Sequence, residues 1–320
     1  MTAFGRSIGQ AHSTSRAQSD GQARGNHRAG SNDRGRSGTA TLVLVGGHEG
    51  GDASALRPLV EGGHALRAVG VGRELTLAVS EALAWTDLPV CVVPMTLGRD
   101  PQLVADTARA LRWAAGPGPQ GRIALTEPFG SATHLVGWLR AAAGRVADAR
   151  PEDSAVLVTA PAAGPFEDAE LFRIARLVRQ HGSHRWVEVA FDGGDPGLAE
   201  GVRRCRDLGA RRVVMLPAAF GPAAARPVAA RPVAGAEDGG HLLSTSAVAG
   251  VLRARVAQAL HRLSQGQDGI AAGLDAAHGH GHAHSHGPHD SHDTHGAHGT
   301  QPSVGHSDHH SHEHRLHAHH

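Results

Sequence analysis

The chain has 320 residues, of which 40% are apolar, so it is long enough to bury one large core or two smaller ones. A formal net charge of +1 with neutral histidines gives no reason to expect nucleic acid as a partner. No apolar run reaches the roughly 18 residues of a membrane span, and two cysteines in apolar segments, Cys91 and Cys205, indicate buried free thiols. We therefore expect a cytoplasmic protein without a secretion signal or a membrane partner.

The first segment of the chain, residues 1–38, is rich in Ser, Gly and Arg and almost empty of large apolar residues. Such a composition cannot bury enough surface to offset the entropy of ordering, so we expect a disordered, solvated tail. A weaker alternative is that its arginines contact an anionic surface.

The stretch Thr41 to Asp52 organises the following chain. An unbroken run of Leu and Val indicates a strand that is buried on both faces, and two glycines end it. His48 and Glu49 follow immediately. Because chemistry in open α/β sheets lies beyond the carboxyl ends of the strands, these two side chains are placed where a site would be. The structural alternative is a turn histidine that hydrogen-bonds to backbone.

Strand-like and helix-like segments alternate from Thr41 onward. In the first half the patterns predict strands at 41–46, 66–71, 89–94 and 122–126, and helices at 74–84, 101–114 and 132–143. In the second half they predict strands at 155–159, 186–191 and 211–216, helices at 167–181, 196–207 and 246–263, and a long loop at 221–240. Asp100 and Pro101 form a typical helix start.

The two halves resemble copies of each other. The segments Pro94–Gly98 and Pro217–Gly221 each follow a strand with the same Pro-to-Gly spacing. The alternation predicts an α/β fold of two similar lobes, residues 39–150 and 151–264, each a parallel sheet flanked by helices. A cleft between the lobes would hold the site.

The last segment, residues 265–320, has no apolar period, and we expect it to be disordered. From His278 onward it is dense in histidine, whose neutral imidazole binds Ni, Co, Zn and Cu. The predicted metal ligands here are His278, His280, His282, His284, His286, His309, His310, His312 and His314. A solubilising low-complexity tail is the alternative, while the irregular spacing argues against an expression tag.

These features resemble the sirohydrochlorin chelatase family, the class II chelatases that insert cobalt, iron or sometimes nickel into sirohydrochlorin. In that family the first strand ends in a turn whose histidine binds the incoming metal, and Gly47-His48-Glu49-Gly50 matches that turn. Sequences of the family also resemble three further segments, Pro94–Gly98, Glu127–Gly130 and Trp186–Phe191. Histidine-rich tails occur in the family as well. The likeness covers about residues 40–263.

The resemblance implies roles for individual residues. His48 would deliver the metal, Glu49 would accept pyrrole protons, and Arg99 would pair with substrate carboxylates, unless it is a solvated helix-start residue. The family's second metal histidine is missing after the third strand. Glu49, Glu127, His64 and His134 are possible substitutes, although each of the two histidines fits a surface or helix-start position better.

The expected function is thus an enzyme, a metal chelatase of tetrapyrrole biosynthesis, with the divalent metal as substrate and no organic cofactor. Partners in metal delivery or in the tetrapyrrole pathway are also possible. The first alternative is a catalytically degenerate chelatase fold that stores or delivers Co or Ni through its tail. The second alternative is an unrelated two-lobe ligand-binding protein. Functions in nucleotide binding or serine hydrolysis lack support, because the chain contains no motif typical of either.

Overall fold

The computed structural model describes residues 39–51, 53–63, 67–115, 121–146, 153–220 and 233–278. Asp52, His64, the first 38 residues and the chain after 278 lie outside the described residues, as does the side chain of His278. The predictions for both tails therefore remain predictions. Every element described below belongs to one compact unit.

The first half of the chain forms a parallel four-stranded sheet in the order β2-β1-β3-β4. Its central strands are the unbroken apolar runs, and they are buried because helices cover both faces of the sheet. The strands are β1 (Thr41–Gly46), β2 (Arg67–Val69), β3 (Val90–Met95) and β4 (Ile123–Leu125). The helices are α1 (Arg57–Glu61), α2 (Arg73–Trp85), α3 (Pro101–Ala115) and α4 (Ala132–Val146).

The second half repeats this arrangement as a parallel sheet in the order β6-β5-β7-β8. The strands are β5 (Ser154–Pro161), β6 (Trp186–Asp192), β7 (Arg212–Pro217) and β8 (Glu237–Asp238). The helices are α5 (Pro165–His181), α6 (Leu198–Asp207), α7 (Thr245–Ser264) and α8 (Ile270–Leu274). The equivalent strand order confirms the predicted α/β fold with two similar lobes.

One hydrophobic core joins the two lobes. It contains Leu44 and Val93 from the first sheet and Val156 and Val158 from the second. Helix α4 packs against α5 of the second half, and α7 packs against β3 and β4 of the first. The last large helix of each half therefore lies against the other half, and this exchange holds the strand ends of the two sheets close to each other.

The described chain differs from the sequence prediction after Gln265. No packed structure was expected there, yet α8 lies against α3, and Ile270 on α8 is buried. The Leu125 amide donates a hydrogen bond of 2.8 Å to the Asp268 carbonyl, which fixes the segment to β4. A five-residue helix is too short to show an apolar period in the sequence. The histidine-rich segment therefore begins from a point that is anchored on the first lobe.

Two short elements were also missing from the sequence prediction. Strand β8 occupies part of the predicted loop at 221–240, and α1 follows the turn after β1. Among the described helices, none is both long enough and apolar enough to span a bilayer.

Candidate functional site

The most distinctive polar pair lies where β1 and β3, neighbours in the first sheet, reach their carboxyl ends. His48 begins a single 3-10 turn directly after β1, and Asp100 directly precedes α3. The His48 Nδ1 atom is 3.0 Å from the Asp100 Oδ2 atom, and both side chains are largely buried. Parallel pairing of β1 with β3 therefore brings together two residues that are far apart in the sequence.

Asp100 is held in place by a second contact. Its Oδ1 atom accepts a hydrogen bond of 2.9 Å from the Leu103 amide, so the carboxylate also caps the start of α3. A side chain at position 47 would overlap the Asp100 carboxylate, so Gly47 is required for the close approach of His48. The glycine pair before His48 thus has a steric reason.

This arrangement determines which nitrogen of His48 is available. A carboxylate accepts a hydrogen bond from Nδ1–H, which assigns the proton to Nδ1 and leaves a lone pair on Nε2. The Nε2 atom is buried and has no hydrogen-bond partner among the described residues. Metal-binding histidines commonly have this pattern, in which a carboxylate orients one nitrogen and the other binds the ion.

The environment also acts on Asp100. Burial raises the pKa of its carboxyl group, but hydrogen bonds from His48 and the Leu103 amide, together with the nearby charge of Arg99, act in the opposite direction and prevail. The pKa of Asp100 therefore lies below its ordinary value. The ionised carboxylate that His48 needs as a partner is thus favoured by the fold.

This shift predicts how replacement of Asp100 by asparagine changes stability with pH. A carboxyl with a lowered folded-state pKa stabilises the fold above its unfolded-state pKa, and that contribution is lost as the pH falls through the folded-state value. Asparagine caps helices equally well, so the capping contribution should remain. Urea unfolding from pH 7 to 3 should show the wild-type advantage over Asp100→Asn shrinking below about pH 4. A difference that is independent of pH would contradict this assignment.

Glu49 lies in a different environment from the one expected of a proton acceptor. It is only 1% exposed, and its Oε2 atom accepts hydrogen bonds from the Thr96 hydroxyl and, at 2.8 Å, from the Leu97 amide. Its Oε1 atom is 3.3 Å from the Arg99 Nε atom. Glu49 therefore points into the protein, and its contacts do not support the predicted role in proton transfer.

Arg99 is also buried, with a side chain that is fully inaccessible. Besides Glu49 it contacts the second lobe, because its Nη1 atom donates a hydrogen bond of 3.3 Å to the Glu167 carbonyl in α5. This guanidinium does not face a substrate, so the geometry supports neither the predicted pairing with tetrapyrrole carboxylates nor the solvated alternative.

Glu127 lies at the end of β4 and is bound by residues of α7. Its carboxylate is 3.0 Å from Arg255 Nη1 and 2.5 Å from Arg262 Nη2, and it accepts a hydrogen bond of 3.3 Å from Gln258. Both oxygens therefore have cationic partners. The contacts of Glu127 fix α7 to the first sheet and do not support the predicted role in metal binding.

His134 lies exposed at the start of α4. Its Nδ1 atom is 2.8 Å from the Ser131 hydroxyl, and its ring stacks on Trp138. His134, one of the proposed substitutes for the missing second metal histidine, is thus a surface residue. Within the described residues, no group of three or more His, Cys, Asp or Glu side chains could hold a metal ion.

A narrow apolar crevice lies next to this site, at the seam between the lobes. It has a volume of about 20 Å³ and is lined by residues from both halves, namely Leu97, Ala219, Phe220, Leu242, Leu243 and Val248. The Phe220 amide donates a hydrogen bond of 2.8 Å to the Glu49 carbonyl, which joins the loop after β7 to the His48 turn. A larger cavity of about 400 Å³ lies elsewhere, between α4 and the end of α5.

Sequence reasoning missed the role of Asp100 as the partner of His48. The signal was available, since Asp100 follows a strand that was expected to lie in the same parallel sheet as the strand before His48. What the sequence lacked was the strand order, which makes β1 and β3 immediate neighbours.

Comparisons with solved structures find matches of low sequence identity. SirB from Bacillus subtilis, solved with Fe³⁺, has a TM-score of 0.47 and 14% identity, over 72% of this chain and 98% of its own. DR2241 from Deinococcus radiodurans, described as similar to chelatases, has a TM-score of 0.39 and 23% identity, over 69% of this chain and 55% of its own. Similarity at this level does not establish a shared ligand or reaction.

A curated protein gives a closer match over a short segment. A sirohydrochlorin cobaltochelatase from Priestia megaterium is 40% identical over 68 residues, which are 21% of this chain and 22% of that protein. The chain thus spans about a fifth of the length of this relative. No family model matches the chain. The segment match confirms the resemblance to sirohydrochlorin chelatases that the sequence motifs indicate.

Proposed function

We propose that this chain, which resembles sirohydrochlorin chelatases, inserts a divalent metal ion into a tetrapyrrole of the sirohydrochlorin class. The metal ion is a substrate. Co²⁺ and Fe²⁺ are the first candidates, and Ni²⁺ is the second. The observation that carries the proposal is the buried, unpartnered Nε2 atom of His48, oriented by Asp100 at the carboxyl edge of the first sheet. An imidazole in this state is a ready ligand for a divalent ion.

The same pair of residues can serve both halves of the reaction. Insertion replaces two pyrrole protons with one divalent ion, so the site must release a metal and accept protons. When the ion passes from Nε2 to the macrocycle, the freed nitrogen can take one pyrrole proton, and the Asp100 carboxylate stabilises the imidazolium that forms. The second proton passes to water. Glu49 has no part in this transfer, because it is buried and already hydrogen-bonded.

The macrocycle would enter beside the crevice between the lobes. Apolar side chains from both halves, including Leu97 and Phe220, line it and suit the face of a flat ring system. Because its volume is only about 20 Å³, substrate binding requires the seam to widen. The substrate carboxylates would remain near solvent at the rim.

A second candidate function is metal storage or delivery on a catalytically degenerate scaffold. The observation that favours it is the donor set, since the described residues contain no cluster of three or more metal-binding side chains. A lone imidazole holds an ion weakly, whereas the histidines after 278 could together bind several ions. The two functions differ in whether turnover occurs without the tail.

Deletion of the histidine-rich segment separates these functions. A chain that ends at residue 278 should lose most of its bound Co²⁺ at pH 7.5, because most of the histidines are removed, but should keep its rate of insertion with saturating metal. Metal content is measured after equilibrium dialysis, and insertion is followed by the absorbance of sirohydrochlorin. Binding by the tail should itself disappear below about pH 6, where imidazoles are protonated. Several ions bound by the full chain without any turnover would favour storage over insertion.

A further inference from the structure

Glu49, directly after His48, is the centre of a buried network that the proposed reaction does not use. Its carboxylate binds Thr96, Leu97 and Arg99 in the loop after β3. Its main-chain carbonyl accepts a hydrogen bond from the Phe220 amide in the loop after β7. One residue therefore connects the His48 turn to a second loop of its own lobe and to the other lobe.

Arg99 extends this network. Its Nε atom lies 3.3 Å from Glu49 Oε1, and its Nη1 atom donates to the Glu167 carbonyl in the first turn of α5. The Glu49–Arg99 pair and the Phe220 amide thus form two separate connections between the His48 turn and the second lobe. We call the Glu49–Arg99 pair, with its contact to the Glu167 carbonyl, the latch.

A role in stability alone does not explain the free energy that burial of the latch costs. Removing both charges from water carries a large desolvation penalty, and burial of an ion pair often stabilises a fold no better than apolar packing of the same volume. The hydrogen bonding is also incomplete, because Glu49 Oε1 and the Arg99 Nε and Nη2 atoms have no hydrogen-bond partner of good geometry among the described residues. A buried ion pair with unsatisfied atoms, one residue from a candidate metal ligand, calls for an explanation other than stability.

We propose that Glu49 and Arg99 are positioning residues that fix the His48 turn relative to the second lobe. The inference rests on the proposed function, since it concerns where His48 Nε2 meets a macrocycle held between the lobes. Glu49 cannot swing toward the ligand without losing three contacts, and His48 cannot move far while its neighbour is fixed. The latch therefore determines the distance between the bound metal and the seam where the substrate enters.

The test removes both charges, and with them the hydrogen bond from Arg99 to the Glu167 carbonyl, but keeps the two hydrogen bonds that residue 49 accepts from Thr96 and Leu97. In a Glu49→Gln/Arg99→Met variant, the glutamine oxygen still accepts from Thr96 and Leu97, and methionine fills the volume of the arginine stem. We expect the unfolding midpoint to stay within about 4 °C of the wild type, because buried ion pairs are poor stabilisers. The kcat of insertion should fall at least about 10-fold with KM for the tetrapyrrole little changed, as for loss of an outer-shell contact.

The pH profile and the cobalt spectrum distinguish positioning from other roles. A positioning role lowers the rate at every pH and leaves the shape of the profile intact. Loss of the acidic limb in the double variant would instead show that Glu49 accepts protons, and would overturn the proposal. The visible Co²⁺ difference spectrum, full-chain wild type minus His48→Ala, isolates the ion at His48 from those in the tail, and the double variant should shift its bands.

Two further variants keep the result decisive. Should the double variant fail to fold, Arg99→Lys retains the buried cation but cannot reach both Glu49 and the Glu167 carbonyl, so kcat should fall several-fold. Glu81→Gln is the matched control, since it breaks a long-range ion pair, with Arg67, that is half exposed. Unchanged kcat in both latch variants overturns the proposal. If the wild type shows no turnover yet gives the cobalt spectrum, the proposed function fails, and the spectrum alone still tests the latch.

Discussion

Replacement of His48 by alanine should lower the rate of cobalt insertion by at least about 100-fold. The variant loses the one imidazole that the described structure presents with a buried, unpartnered nitrogen, and it also loses the proton acceptor that the Asp100 carboxylate supports. Initial rates with excess Co²⁺, followed by the absorbance of the tetrapyrrole, measure this loss. The uncatalysed rate in buffer must be subtracted, since free Co²⁺ also reacts.

The matched control is His181→Ala. His181 is exposed and is the last residue of α5. It lies where the strands of the second sheet begin, away from the strand ends that face the seam. The His181→Ala variant loses an imidazole, as His48→Ala does, but at the surface. Its insertion rate should stay within about a factor of two of the wild type, as for an ordinary surface change. Full activity in His48→Ala would remove the catalytic assignment and leave only metal binding by the tail to explain.

Sequence patterns predicted the architecture well because the strongest signals came from buried parallel strands. The run Leu42–Val45 in β1 and all of β3 are apolar and almost entirely buried beneath helices, so the pattern is unambiguous. The exceptions are short elements, such as β8 and α8, whose two and five residues show no period. Contacts with α3 and β4 stabilise α8, and nothing in its own sequence requires a helix.

The candidate site was predicted only in part, because adjacency in sequence does not fix the direction of a side chain. His48 was placed correctly at a strand end, since a strand followed by glycines sets its location. Glu49 is its neighbour, yet the 3-10 turn directs Glu49 into the core and leaves His48 beside Asp100. Arg99 was expected to pair with substrate carboxylates or else to be solvated before a helix, but the second lobe covers it at Glu167.

Gly98, which precedes both Arg99 and Asp100, shows how closely the loops at this edge are packed. It has a φ of 110°, a conformation that side chains rarely adopt, and any Cβ atom there would overlap the backbone of Ser131 and Ala132. The loop after β3 therefore rests directly on the start of α4. That contact limits where Arg99 and Asp100 can lie relative to the sheet.

Replacement of Gly98 by alanine should consequently destabilise the fold by about 4 kcal/mol, through backbone strain and steric overlap together. Total stabilities of about 5–15 kcal/mol make this a large fraction, and the urea midpoint should fall with an unchanged slope. Gly121→Ala is the control, because Gly121 has a similar φ of 100° but open space where a Cβ would lie. It carries the strain without the overlap, so it should lose about half as much stability. Equal losses in the two variants would show that the contact with Ser131 contributes nothing.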